Sequence, residues 1–417
     1  MTSRIVRIEK LAPTGEGIAR TEDGVGFVDR ALPGELVETN VYQVKKKFWR
    51  GNLRAVREPS PDRVVGAHAG CAGCDWAHFE PSAARRAKRD LFLETMHRLG
   101  RIEPELFGEL PVEASPPGYR LRTRLHVAGG VPGYFAPGTH RVVPAGACEA
   151  IAGQTRGLLP AIEAAIRESG SEVSEIAILE DIEGSRRLLR ATLPGAPGPA
   201  VELSERLAAS FAGVRILGAG GNALARKGEP WLPLRAGGRT FRVSVDTFFQ
   251  GNRYLVGAIH AAVLAEARGV APGLALDAFG GAGLFAGALL DAGHRVASVE
   301  AEPGAAADAA RTLEGWPDRE RCKAVSAAVG DYLEQDDRRF ACVVADPPRA
   351  GLGTGLALEL ARRTESGFVY VSCDPATLAR DLSAILAEGF EVRTTRLFDL
   401  FAFTHRVEAV VSLERVA

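Results

Sequence analysis

No stretch of the sequence approaches the roughly 20 consecutive apolar residues that a membrane-spanning helix needs. The N-terminal MTSRIVRIEK also lacks the apolar core of a secretory signal. A cytoplasmic protein without membrane partners is therefore expected, and it is expected to be a monomer. Cysteine is scarce, six among 417 residues, which excludes a dense disulfide framework and leaves metal ligation, catalysis or burial as roles. Net charge is nearly absent as well, at -1, so any surface built for a polyanion must be local.

What is present has the length for two or three folding units and enough apolar residues, 46% of the chain, to give each a core. Residues 1–58 contain RIVRIEKLA, GEGIARTEDGVGFVD and LPGELVETNVYQVKKKFWRGNLRAV, short alternating runs punctuated by Gly and Pro, which predict a small β-barrel. Between Met1 and Glu58 eleven Lys/Arg face eight Asp/Glu, with the excess concentrated from Lys45 to Arg57. Ammonium groups neutralise phosphates and aromatics stack on bases, so Lys45, Lys46, Lys47, Phe48, Trp49 and Arg50 suit an oligonucleotide-binding edge. The competing reading is a solvated charge run beside two core aromatics.

Residues 59–234 open with the linker-like EPSPDRV and a Cys71-Ala-Gly-Cys74 loop. PSAARRAKRDLFLETMHRL follows with helical spacing, Leu91, Phe92, Met96 and Leu99 falling on one side. The strand-like RLRTRLHVAG, EIAILEDI and RRLLRATL, with the helical LLPAIEAAIRES, then predict a central α+β domain. From 235 to 417 apolar strands alternate with helices, the mark of a doubly wound, mostly parallel α/β sheet.

Within that last section LDAFGGAG (276–283) sits where a strand gives way to a helix, and ligands of such sheets bind beyond the carboxyl ends of the strands. The third glycine of a dinucleotide fingerprint is missing, and an ordinary tight turn has the same pattern. Glu300 ends the strand-like VASVE 19 residues after Gly281, the spacing at which a carboxylate accepts from two ribose hydroxyls. Asp331, in VGDYL, falls where the ring of such a ligand would lie. Asp346-Pro347-Pro348-Arg349 follows the strand-like FACVVA as a stiff loop that presents a carboxylate and an arginine. Cys373 ends the next strand on the same rim. A lone cysteine is more often a small buried hydrophobe, but this one closes a strand at the ligand rim and precedes the proline-stiffened turn at Pro375.

DPPRAG (346–351) and YVSCDPATLARDL (370–382) resemble the two hallmark motifs of the RNA uracil-5-methyltransferase family. FRVSVDTFFQGN (241–252) resembles its FFQ-x-N segment, and LDAFGGAG its first cofactor loop. The LPGE and KKKFWRG stretches are similar to a TRAM domain, a small RNA-binding barrel, so the resemblance spans nearly the whole chain. It implies transfer of a methyl group from S-adenosylmethionine to carbon 5 of a uridine in RNA, 23S rRNA foremost and tRNA as the nearest alternative, with the base flipped out of its stack. It also implies roles for single residues. Cys373 would be the nucleophile at carbon 6 and Glu408 the base that removes the carbon 5 proton. Gln250, Phe279, Leu284, Glu300, Asp331 and Asp346 would contact the cofactor.

Many family members hold a [4Fe-4S] cluster on four cysteines, of which Cys71, Cys74 and Cys148 are matched here while Val65 stands at the first position. Either His68 substitutes as a ligand or the cluster is lost, and the spacing leaves both open. Gly280 stands where the family often has Cys, and Ala402 and Arg406 replace Pro and His in its F-P-x-T-x-H-V-E motif. A catalytically silent RNA-binding protein of this fold is opposed by the joint retention of Cys373, Asp346, Gln250 and Glu408. A DNA methyltransferase is opposed by the barrel and by the position of the cysteine after the fifth strand motif.

Overall fold

The computed structural model describes residues 3–64, 71–195 and 198–416. Six strands between Ser3 and Glu58 form the N-terminal barrel, in which Leu36–Val44 and Phe48–Glu58 make the central antiparallel pair. Val6, Ile8, Ala19, Val28, Val37 and Trp49 fill it. The Trp49 indole is 1% exposed and covers Gly26, where a Cβ would come within 2.1 Å of the ring. Trp49 is thus a core aromatic and offers no face to a base, whereas Lys45, Lys46 and Lys47 stand exposed.

The central unit is a seven-stranded sheet between Arg122 and Gly228, with helices Leu159–Glu168 and Ala200–Leu207 against it. The C-terminal unit is an eight-stranded sheet ordered Cys322–Ser326, Arg295–Glu300, Leu274–Ala278, Phe340–Ala345, Thr364–Ser372, Glu408–Arg415, Phe390–Phe398, Val112–Glu113. Its first five strands are parallel, and Glu408–Arg415 runs antiparallel to both neighbours. Leu274–Ala278 and Phe340–Ala345 are buried along almost their whole length, as strands covered on both faces must be. The strand order reverses between these two, which makes their carboxyl ends the crevice where such sheets take ligands.

Two strands of this sheet are weak in the sequence. Cys322–Ser326 and Phe390–Phe398 lie toward its edges and bury few residues in unbroken runs, so neither shows a long apolar segment. Helix Pro81–Thr95 begins with proline, and the Glu80 carboxylate caps it by accepting from Ala83 N at 2.7 Å. Phe92 and Met96 are buried as expected, but Leu99 is 54% exposed. The helix widens into a π turn over Met96–Gly100, and the extra residue shifts the phase of its apolar stripe.

This helix and Val112–Glu113 pack on the C-terminal sheet, not the central one. Lys88 pairs with Asp399 at 2.5 Å, and Ser383 Oγ donates to Gly100 O at 2.6 Å. The hairpin Leu232–Ala236/Arg239–Val243 likewise shares the C-terminal core. The span 59–234 therefore does not pack as one body: its residues 81–113 and its last strand serve the C-terminal unit.

Candidate active site

At the end of Leu274–Ala278 the chain makes a turn that side chains tolerate poorly. Phe279 holds φ at 66°, in the left-handed region, and Gly281 and Gly283 follow with φ of 53° and 94°. A Cβ at Gly280 would lie 2.2 Å from Ser298 Oγ and 3.0 Å from Asp277 Oδ2, so the bond between those two side chains requires glycine here. Leu284 starts the following helix and is buried. Glu300 closes over the loop by accepting from Gly281 N at 2.9 Å and from Glu302 N at 2.7 Å. Each of its oxygens keeps a lone pair for an outside donor. Asp331 is exposed in the first turn of Val329–Gln335, beyond the end of Cys322–Ser326.

Across the switch point Asp346 accepts from Gln250 Nε2 at 2.8 Å. The antiparallel register Ser372↔Ala409 sets Glu408 opposite Cys373, so the thiol and this carboxyl share the rim with Asp346. Cys373 stands two residues before helix Pro375–Ala387, whose N-terminal N–H groups at Ala376 and Thr377 are capped by Asp374. The rim thus gathers Cys373, Asp346, Gln250 and Glu408, which lie up to 158 residues apart.

The electrostatics of this rim are unbalanced. Asp277, with no exposure and with Oδ1 unbonded among the described residues, is pushed up to about 7 by burial, against bonds from Ser298 and Ala286 N. Desolvation raises Asp346 to about 7 as well, the Gln250 bond opposing it and Asp277 adding to it. Glu408, 2% exposed, is raised well above the ordinary carboxyl value by burial and then by Asp346. The Cys373 thiol goes up to about 11 through burial, Glu408 and Asp346, with Arg349 and Arg406 pulling the other way. Unneutralised acids crowded at one rim suit a ligand that brings positive charge. Behind Cys373 a cavity of about 220 Å³ opens between the barrel and helix Pro81–Thr95, lined by Thr14, Lys88, Cys373, His405 and Arg406 among others.

A second cluster lies in the central unit. The sulfurs of Cys71, Cys74 and Cys148 come within 4.8 Å of one another, all three residues buried. Interaction with Cys71 and Cys74, helped by Arg120, holds the Cys148 thiol below its usual value, while the same interaction and burial push Cys71 and Cys74 up. Three soft donors beside a guanidinium fit a thiolate-ligated metal centre on three sides. Val65 and His68, on which the fourth side was judged, lie outside the described residues.

Several residues at the rim were not singled out from sequence. Asp277 falls within the loop motif LDAFGGAG, and nothing in its sequence neighbours sets it apart. Asn252 accepts from Tyr254 N and Leu255 N at 3.0 and 3.1 Å, in the turn that leads into helix Val256–Arg268. It also donates to Leu400 O at 3.0 Å, in the segment before Glu408. Its signal lies in FFQGN, two residues after the glutamine that the family resemblance picks out.

Known families and proteins resemble this chain over nearly its whole length. The model of the tRNA (uracil-5-)-methyltransferase family matches residues 330–416, and that of the TRAM domain residues 4–53. An RNA methyltransferase of Streptomyces avermitilis is 34% identical, the match covering 99% of this chain and 98% of the relative. The 23S rRNA (uracil(1939)-C(5))-methyltransferase RlmD of Halomonas elongata is 31% identical over 98% of this chain and 88% of its own. Among solved structures, the Pyrococcus abyssi tRNA (uracil-54, C5)-methyltransferase in complex with S-adenosyl-L-homocysteine superposes with a TM-score of 0.78. That match is 21% identical and covers 98% of this chain and 99% of that one. With full-length relatives above 30% identity, its own barrel and its own rim, the chain belongs to the S-adenosylmethionine-dependent RNA (uracil-5-)-methyltransferase family.

Proposed function

We propose that the protein methylates carbon 5 of a uridine in 23S rRNA through a covalent adduct on Cys373, with Glu408 as the base. The observation that carries this is the register Ser372↔Ala409, which sets a strand-end cysteine opposite a buried carboxyl on the rim of the ligand crevice. Bound S-adenosylmethionine supplies an electrophilic methyl group and positive charge. Gln250 and Asp346 would hold its reacting end, Phe279 and Leu284 its flank, Glu300 the ribose hydroxyls, and Asp331 the far side of the adenine.

Addition of the Cys373 thiolate to carbon 6 of uracil pushes an electron pair onto carbon 5, which then takes the methyl group. Glu408 accepts the carbon 5 proton, the electron pair of that bond re-forms the double bond, and the sulfur leaves carbon 6 as thiolate. A carboxyl raised by desolvation is the stronger base for this step. Arg349 and Arg406, beside the thiol, favour its ionised form. A uridine must leave its stack to reach this rim.

The choice of 23S rRNA over tRNA follows the whole-length Halomonas relative, whose name gives uracil 1939 of that RNA as its target. The exposed Lys45, Lys46 and Lys47 of the barrel suit the phosphates around the target. Cys71, Cys74 and Cys148 are proposed as three ligands of an iron–sulfur centre, to be tested by iron and acid-labile sulfide analysis of anaerobically purified protein. Absence of both would leave the three as core cysteines.

For the chemistry, Glu408→Gln should still permit attack and methylation but block elimination. A protein–RNA species resistant to denaturing electrophoresis is expected, and none with Cys373→Ala/Glu408→Gln. Ordinary turnover by Glu408→Gln would remove Glu408 from the mechanism. Mass-spectrometric mapping of 5-methyluridine in cells with and without the gene decides between the two RNAs.

A further inference from the structure

Residues 399–407 carry the chain from the strand ending at Phe398 into the strand that starts at Glu408. Nine residues outside any strand would leave the base poorly placed. Instead, four successive carbonyls of this segment are held, each by a donor from elsewhere. Leu400 O accepts from Asn252 Nδ2 at 3.0 Å and Phe401 O from Lys88 Nζ at 3.2 Å. Ala402 O accepts from Tyr119 Oη at 3.1 Å, and Phe403 O from Trp76 N at 2.9 Å. Phe403 itself has φ at 67°, a conformation an aromatic residue keeps only when its surroundings over-determine it.

Two of these four donors, Tyr119 and Trp76, stand beside the three-cysteine cluster. Tyr119 packs in the same core as Cys71, Cys74 and Cys148, together with Ala402 of the gripped segment. Trp76 stands two residues after Cys74, and between them Asp75 hydrogen-bonds His405 Nδ1. The barrel closes the far side. Trp76 Nε1 donates to Gly15 O at 2.8 Å, and a Cβ at Gly15 would stand 2.7 Å from His405 Cβ. The Cys71–Trp76 loop is thereby tied to the segment that delivers Arg406 and Glu408 to Cys373.

We infer that the Cys71–Trp76 loop is a clamp for the base-bearing segment, with Asp75, Trp76 and Tyr119 as positioning residues for the step that Glu408 performs. The inference rests on the assignment of Glu408 as base. Among the described residues no hydrogen bond or ion pair joins Asp75, Trp76 or Tyr119 to the glycine-rich cofactor turn or to Lys45, Lys46 and Lys47. Loss of the clamp should therefore slow turnover and leave affinity for RNA and cofactor in place.

The experiment compares Asp75→Ala, Asp75→Asn and Tyr119→Phe in the full-length enzyme by steady-state kinetics, hydrogen exchange over 399–407 and denaturing gels. Asp75→Ala should lower kcat roughly tenfold with KM nearly unchanged, the scale of a misplaced catalytic group. It should also speed exchange in 399–407 and accumulate the covalent RNA species. Asp75→Asn, which keeps an acceptor for His405, should restore most of each. Tyr119→Phe, which removes only the hydroxyl bonded to Ala402 O, should speed exchange there without loss of fold. Unchanged kcat and exchange in Asp75→Ala and Tyr119→Phe, or a change confined to KM, overturn the clamp. Faster exchange with lowered kcat but no accumulated adduct upholds the clamp and overturns the base assignment instead.

Discussion

The barrel and the rim of the C-terminal sheet both bury carboxylates, and they treat them in opposite ways. In the barrel, burial would raise Glu35, but bonds from Arg63, Leu32 N and Ser60 N hold it below its ordinary value. Arg57 and Arg54 do the same for Glu38, at 2.5 Å each. Asp29, pushed up to about 6 by burial and Glu16, is the exception there. At the rim Asp277, Asp346 and Glu408 form no ion pair among the described residues, and all three are raised. The barrel's acids are completed by the protein itself, so they serve the fold. The rim's acids are left for a partner that arrives with its own charge, and the fold bears their desolvation until then.

The strongest way to break this contrast is to make a barrel acid resemble a rim acid. Arg63→Met leaves Glu35 buried without its cation and should destabilise the protein by about 3–5 kcal/mol in denaturant unfolding. Adding Glu35→Gln should recover much of the loss. A loss below about 1 kcal/mol would mean that the backbone N–H bonds alone satisfy Glu35.

The converse change relieves a rim acid. Asp277 has a folded value of about 7 against an ordinary 3.8, so its protonated form favours the fold. That contribution is complete below pH 3.8 and is lost as pH rises through 7. Asp277→Asn should therefore be near neutral at pH 4 and gain stability by pH 8, about 1–3 kcal/mol and at most about 4. Urea unfolding at both pH values measures it, and an unchanged pH profile would show that the carboxyl is not held protonated by the fold.

The smallest effect concerns charges that neither region pairs. Lys45, Lys46 and Lys47 are exposed and form no ion pair among the described residues. Replacing all three by Ala should flatten the slope of log K for RNA against log salt by about 2, with kcat at saturating RNA unchanged. An unaltered slope would move the RNA surface off this edge of the barrel.

Much of the rim was legible because its residues sit at strand ends flanked by apolar runs. FACVVA before Asp346 and GFVYVS before Cys373 announce two strands of a parallel sheet, and such a sheet puts both residues at one edge. The strands Cys322–Ser326 and Phe390–Phe398 were hidden because edge positions mix polar with apolar residues. Leu99 was misplaced because a π turn has no signature in a 3.6-residue pattern. Trp49 reads the same beside three lysines whether its ring points into the barrel or out. Only the missing side chain at Gly26 shows the inward place, and only once the two strands are paired.

By itself the sequence determined the parallel sheet, the glycine turn and the place of Asp346 and Cys373 at strand ends, because each depends on neighbours along the chain. Tertiary structure alone decided that helix Pro81–Thr95 packs on the C-terminal sheet, that Asp277 has no cation partner among the described residues, and that the cysteine loop grips the segment before Glu408. These depend on contacts between residues up to hundreds of positions apart, such as Lys88 with Asp399 and Trp76 with Phe403. Periodicity and spacing record which face a residue turns to the core, but not which distant side chain waits there.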